Sequence, residues 1–199
     1  MTPLKSAFIN KFTRYTIALL LCMFTLSSLH ANELTAYQDV PKQWRTEIIP
    51  FPLNFASQIP LIGVEELVFA PGMYDASKQD FFSYAFVWAV SSTTIDTQTM
   101  QQYIHQYYLG LYKAVSGKHQ VAKDEVKVTL TGSKDNQFYS GYIDWIEPFV
   151  SQQPQRLFFE THQQTCEKTQ QIRWYFTASP QVNSHIIWQH LSDLSKTHC

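Results

Sequence analysis

FFSYAFVWAVSSTTIDTQTMQQYIHQYYLGLYKAVSG, residues 81–117, changes its hydrophobic period partway along, and that change decides the fold class. From Phe81 to Val90 the period is two. Phe82, Tyr84, Phe86 and Trp88 fall on one face, and Ser83, Ala85, Val87 and Ala89 on the other. A strand with one bulky and one small face suits a sheet covered by a helix on the small side. Beyond Asp96 the period becomes helical: Met100, Tyr103, Ile104, Tyr107, Leu111, Ala114 and Val115 make one apolar face. Asp96 is a fitting N-cap, Ile95 and Met100 stand at the two positions of a hydrophobic staple, and Gly117 is placed to end the helix. Gly110 weakens helicity from inside the helix, so close packing is expected there.

Working outward toward the C-terminus, four strands are expected: Val126–Thr131, Phe138–Ile146, Arg156–Thr161 and Ile172–Thr177. Alternation turns Val126, Val128, Leu130, Tyr139, Ile143, Trp145, Leu157, Phe159, Ile172, Trp174 and Phe176 inward. Gly-Ser-Lys-Asp-Asn at 132–136 is a turn by composition. Inward positions are odd on one strand of the last hairpin and even on the other, so paired residue numbers must sum to an odd number. Pairing Leu157 with Phe176 meets that condition; it also sets Phe158 opposite Tyr175 and Glu160 opposite Arg173, with Cys166 at the hairpin tip. Asn183 or Ser184 caps a final helix with the stripe Ile186, Ile187, His190, Leu191, Leu194.

Toward the N-terminus, Glu65–Phe69 is a strand that ends at Ala70-Pro71-Gly72-Met73, where Pro then Gly fit the centre of a type II turn. Residues 32–63 are punctuated by Pro41, Pro50, Pro52 and Pro60. They read as an extended lead-in anchored by Trp44 and by Glu47-Ile48-Ile49. The element order is βββαββββα. This predicts an α+β fold, a mainly antiparallel sheet with helices packed on it as a two-layer sandwich, in a single domain over 64–199.

Residues 1–31 have the three parts of a cleavable secretory signal. Lys5, Lys11 and Arg14 are cationic, Ile17 to Leu26 are apolar, and a short polar segment ends at Ala31. The apolar run is about half the roughly 20 residues a spanning helix needs, so no membrane span is expected once the signal is removed. Cys22 lies within the apolar run, behind Leu21 where lipidation requires a small residue. The remaining chain carries 12 basic and 16 acidic residues, a net of −4 with histidine neutral. No basic cluster is left to neutralise phosphates, which argues against nucleic acid as a partner. The absence of any Asn-x-Ser/Thr sequon fits a bacterial envelope, and the expected location is the periplasm. Only Cys166 and Cys199 survive processing; in an oxidising compartment they are expected to pair, closing a loop that contributes about 3–4 kcal/mol.

Chemical motifs are sparse. The mature histidines His105, His119, His162, His185, His190 and His198 show no metal-binding spacing, and no metal or cofactor is expected. There is no nucleophile elbow; Ser140, in Tyr-Ser-Gly-Tyr, faces outward on a strand. Glycine-rich phosphate loops are absent from a chain with six glycines. Five Trp, eleven Tyr and fourteen Phe exceed this modest equipment. Two groups can serve beyond the core: an outward row Tyr142, Phe158, Tyr175, flanked by Asp144, Arg156, Glu160 and Arg173, and the turn presenting Met73 and Tyr74. The expected function is a non-enzymatic binding or accessory module. It would hold an envelope protein or a small apolar ligand through Tyr74, Tyr84, Trp88, Tyr142, Phe158 and Tyr175. The alternative is a small hydrolase acting on cell-envelope polymers, with Glu66 or Asp75 as acid/base and His162 assisting.

Overall fold

The computed structural model describes residues 34–91, 95–117, 122–133, 138–167 and 169–194, and its compact unit begins at Leu34. The expected signal, the centre of the turn at 134–137, His119, His198 and Cys199 lie outside the described residues. Seven described strands form one antiparallel sheet: β1 (Arg45–Pro50), β2 (Gly63–Phe69), β3 (Tyr84–Ser91), β4 (Lys127–Ser133), β5 (Phe138–Ile146), β6 (Pro154–Cys166) and β7 (Gln171–Ser179). Helix α1 (Thr97–Ser116) follows β3, and α2 (Ile186–Leu194) follows β7. The fold is the α+β sandwich expected, in the order βββαββββα.

The spatial order is β1-β2-β3-β7-β6-β5-β4. Two meanders therefore meet at the β3–β7 seam, and α1 carries the chain from the sheet centre to the far edge at β4. The front face of the sheet packs against α1 and residues 51–61. Phe86, Trp88, Trp174 and Phe176 form its centre, with the Phe86 and Phe176 rings stacked 4.4 Å apart and Tyr107 of α1 against Phe86 at 5.5 Å. The lead-in belongs to this unit, since β1 pairs along β2 and Phe51, Leu53, Ala56, Ile59 and Leu61 enter the core. Its backbone approaches α1 so closely that a Cβ on Gly110 would lie 2.0 Å from the Phe55 carbonyl oxygen. On the back face, Ala85, Val87 and Ala89 are small enough for α2 to settle on the seam through Ile187, Trp188, Leu191 and Leu194. The small side of β3 is thus helix-covered, as its sequence predicts, and α1 covers the bulky side.

Asp96 caps α1 by accepting from Thr99 N at 2.7 Å, and Gly117 ends it at a left-handed φ of 67°. Several local expectations need correction. The strand β3 begins at Tyr84 and not Phe81, because Phe82 turns through a positive φ of 49° that drives its ring into the core. The Ala70–Met73 turn is closed by Met73 N donating to Ala70 O at 3.0 Å, yet Gly72 lacks the positive φ of a type II turn. Glycine is needed there for room: Gly72 N donates to Asp80 at 2.9 Å, and a Cβ would lie 2.0 Å from that carboxylate. The last helix starts behind His185, whose Nδ1 accepts from Ile187 N at 3.2 Å, in place of a cap by Asn183 or Ser184. Its buried stripe includes Trp188, whereas Ile186 and His190 are exposed.

The largest correction concerns the last hairpin. Phe158 pairs with Ser179, Thr161 with Phe176 and His162 with Tyr175, so paired numbers sum to 337, not 333. Parity, and with it the inward face, is as expected. The slip of four extends β6 through the polar run Gln163-Gln164-Thr165 to Cys166, which ends the strand opposite Gln171 and is not the tip. Ladder hydrogen bonds come from the backbone, so a polar segment can pair without the alternation that marks a strand in sequence.

Candidate functional site

Alternation along β2 sends Glu65 to the front core and Glu66 to the back. Glu65 is fully buried and accepts from the Trp88 indole at 2.9 Å. Burial drives its pKa up to about 8, and hydrogen bonding from Trp88 and Tyr107 opposes that shift without cancelling it. At neutral pH this carboxyl is mainly protonated. Beside it, the Tyr84 and Tyr108 hydroxyls share a 2.7 Å hydrogen bond. Trp88, expected at a binding surface, is therefore a core residue.

Glu66 gathers a different set of partners. It accepts from Thr35 N and Ala36 N at 2.8 Å and from Thr35 Oγ1 at 2.6 Å. Arg173 donates to Thr35 O at 3.2 Å from β7 on the same face. Together these side chains hold the first described residues of the chain against the back of the sheet. Asp75 lies on an exposed loop and accepts from Ser77, which holds its carboxyl below the usual range. His162 stacks on Tyr175 with centroids 5.1 Å apart, and burial lowers its pKa. His162 lies in the same cross-strand row as Glu66 but is separated from it by Val87 of β3 and Tyr175 of β7, so this acid and imidazole are not in contact. Among the described residues, no three His, Cys, Asp or Glu side chains are grouped to hold a metal ion. None of the described helices is long and apolar enough to cross a membrane.

Among the described residues, aromatic side chains border three surfaces. The first is an aromatic pocket of about 90 Å³ on the front edge, walled by Phe69, Tyr74, Tyr84, Tyr107 and Phe149 with Glu47 at its side. Tyr74 is 45 % exposed, while Met73 beside it is buried and not displayed at a tip. Phe149 is placed by Glu147, a buried carboxylate that accepts from the backbone of Phe149, Val150 and Ser151 and so fixes their turn.

The second surface is what is left of the aromatic row. The slipped register aligns Tyr142 and Phe158 with Ser179, and Tyr175 is buried under the N-terminal segment, 6.5 Å from Tyr37. Tyr142 and Phe158 stay half-buried. Arg156 lies 3.9 Å above the Tyr142 ring and makes a two-pronged bond to Asp144, each contact 2.7 Å. Glu160 accepts from Asn183 at 2.8 Å, and Arg173 is committed to Thr35. The row is a pair, tied up by its own charges.

The third surface is a groove of about 460 Å³ between residues 38–44 and α2, bordered by Trp44. The sequence offers Trp44 only as an anchor. Its exposure beside His190 depends on where α2 docks, and no local pattern carries that information. Comparison with protein-family models, with curated proteins and with solved structures finds no match.

Proposed function

We propose that this is an exported periplasmic protein acting as a non-enzymatic binding or accessory module, which grips one apolar side chain of an envelope partner in the Tyr74–Tyr84 pocket. The observation that carries this reading is the pocket's size and wall. At about 90 Å³ it is well below the 300–1,000 Å³ of a typical small-molecule site. It matches a single inserted side chain, the kind of anchor that dominates protein interfaces. Tyr74 at the mouth has a cation–π neighbour in Arg45, with 5.9 Å from guanidinium to ring centroid, which gives the rim a polar partner for the incoming chain. Export rests on the signal pattern of residues 1–31, and a Cys166–Cys199 bridge is proposed with it, since both cysteines would mature among oxidants.

The test places a photo-crosslinking amino acid at Tyr74 in living cells. A discrete adduct with an envelope protein is expected, and it should vanish when Ile49→Trp fills the pocket without lowering Tm. Adducts indifferent to Ile49→Trp would remove the pocket from the function. N-terminal sequencing of the same protein is expected to begin at Asn32, and a retained leader would overturn export.

A further inference from the structure

We infer that the groove beside Trp44 is a saccharide-binding site, taking a neutral polyhydroxylated ring that stacks on the indole. This does not rest on the Tyr74–Tyr84 pocket, which opens on the other side of β1 and β2, and either can fail alone.

Trp44 is half-buried, and part of it packs against the back core formed with α2. The same residue borders two depressions, one of about 460 Å³ and one of about 310 Å³, which share Gln43, Trp44 and His190. Its support is local: Trp44 N donates to Pro41 O at 2.9 Å, and Arg45 enters β1 directly behind it. An indole held by a core on one side and open to a groove on the other is a preorganised platform, with little ordering cost on binding. By volume this groove, unlike the aromatic pocket, can hold a small molecule.

The polar lining decides which molecule. Around Trp44 stand Gln38, Asp39, Gln43, His190 and Asp193. Glutamine offers donors and acceptors together, carboxylates accept, and imidazole can do either. Among the described residues, no lysine or arginine lines either depression, so a phosphate or carboxylate ligand would meet the acids there without a described counter-charge. A cationic ligand would need acceptors only and would leave the amide and imidazole donors without a role. A hydroxylated ring gives and takes hydrogen bonds at each oxygen, and its C–H face matches an indole. Only the saccharide uses the whole set. The neighbouring depression continues past Gln79 and His185, which gives room for a second ring.

The test uses the mature chain and a panel of neutral mono- and oligosaccharides with gluco, galacto, manno and N-acetylglucosamine configurations. Choline serves as the cation control and citrate as the anion control. The readouts are the NMR shift of the Trp44 indole N–H and calorimetry. At least one sugar is expected to shift the Trp44 signal saturably, while choline and citrate leave it in place. Trp44→Ala and, separately, the exposed-site variant His190→Ala should each weaken that binding by about tenfold or more. His190→Ala leaves the platform intact, so it keeps the test valid if Trp44→Ala lowers Tm. The inference is overturned if no sugar moves the Trp44 signal, if choline moves it instead, or if both variants bind as the wild type does. Crosslinking from Tyr74 is unaffected by any of these outcomes.

Discussion

On the front of β2, Glu65 sits in a closed aromatic box and holds its proton; one residue on, at the back, Glu66 is surrounded by main-chain donors. The two faces differ in what the chain supplies to them. The front core is built of rings from β3, β7 and α1 and is dense in apolar area. The back core is assembled from small residues of β3, the short helix α2 and the backbone of residues 34–37, which brings N–H groups against the sheet. Two identical side chains thus meet opposite electrostatic situations a few ångströms apart. The front face is where removal of bulk should cost most, and the back face is where loss of a single acceptor should release a segment.

The widest separation of the faces is expected from Trp88→Ala. Emptying a fully buried indole costs about 3–5 kcal/mol, and it also strips Glu65 of its donor. Chemical denaturation reads the loss, and a change under about 1 kcal/mol would show that the front core does not carry the fold. Next comes the proton on Glu65. Its folded pKa of about 8 exceeds the ordinary 4.5, so the folded state binds a proton that the unfolded chain has released. Stability therefore falls as pH rises from about 4.5 to about 8, by an amount on the order of a few kcal/mol. Glu65→Gln should flatten that slope in a Tm–pH series; an unchanged slope would mean the carboxyl is ionised in the fold.

Glu66→Ala tests the back face and is expected to cost about 1–3 kcal/mol, since it leaves the Thr35 and Ala36 amides without their acceptor. Hydrogen exchange should speed up at those two amides ahead of the β3 amides. If exchange rises uniformly across the sheet, the clamp is part of the global core and the contrast between faces disappears.

Much of this was legible because it is local. The bulky and small faces of β3, the capping of α1 by Asp96 and Gly117, the tight approach at Gly110 and the opposite faces of Glu65 and Glu66 all follow from spacing and side-chain size. The candidate surfaces were less legible. Tyr74 and Tyr84 do meet at one pocket, but Trp88 and Tyr175 are core, and Tyr142 with Phe158 is a remnant of the expected row. A row across strands depends on register, and a four-residue slip preserves every inward-facing residue while changing every neighbour.

By itself, the sequence determined the class of fold, the order of its elements and which residues of each strand share a face, because period and residue size act over a few residues. Tertiary structure alone decided the hairpin register, the use of Glu66 as a clamp and the placing of Trp44 at a groove against α2. Some of those features join residues far apart in the chain, such as Arg173 with Thr35 at a separation of 138. No local preference encodes a contact of that reach; it is chosen when the two meanders and their helices close on one another.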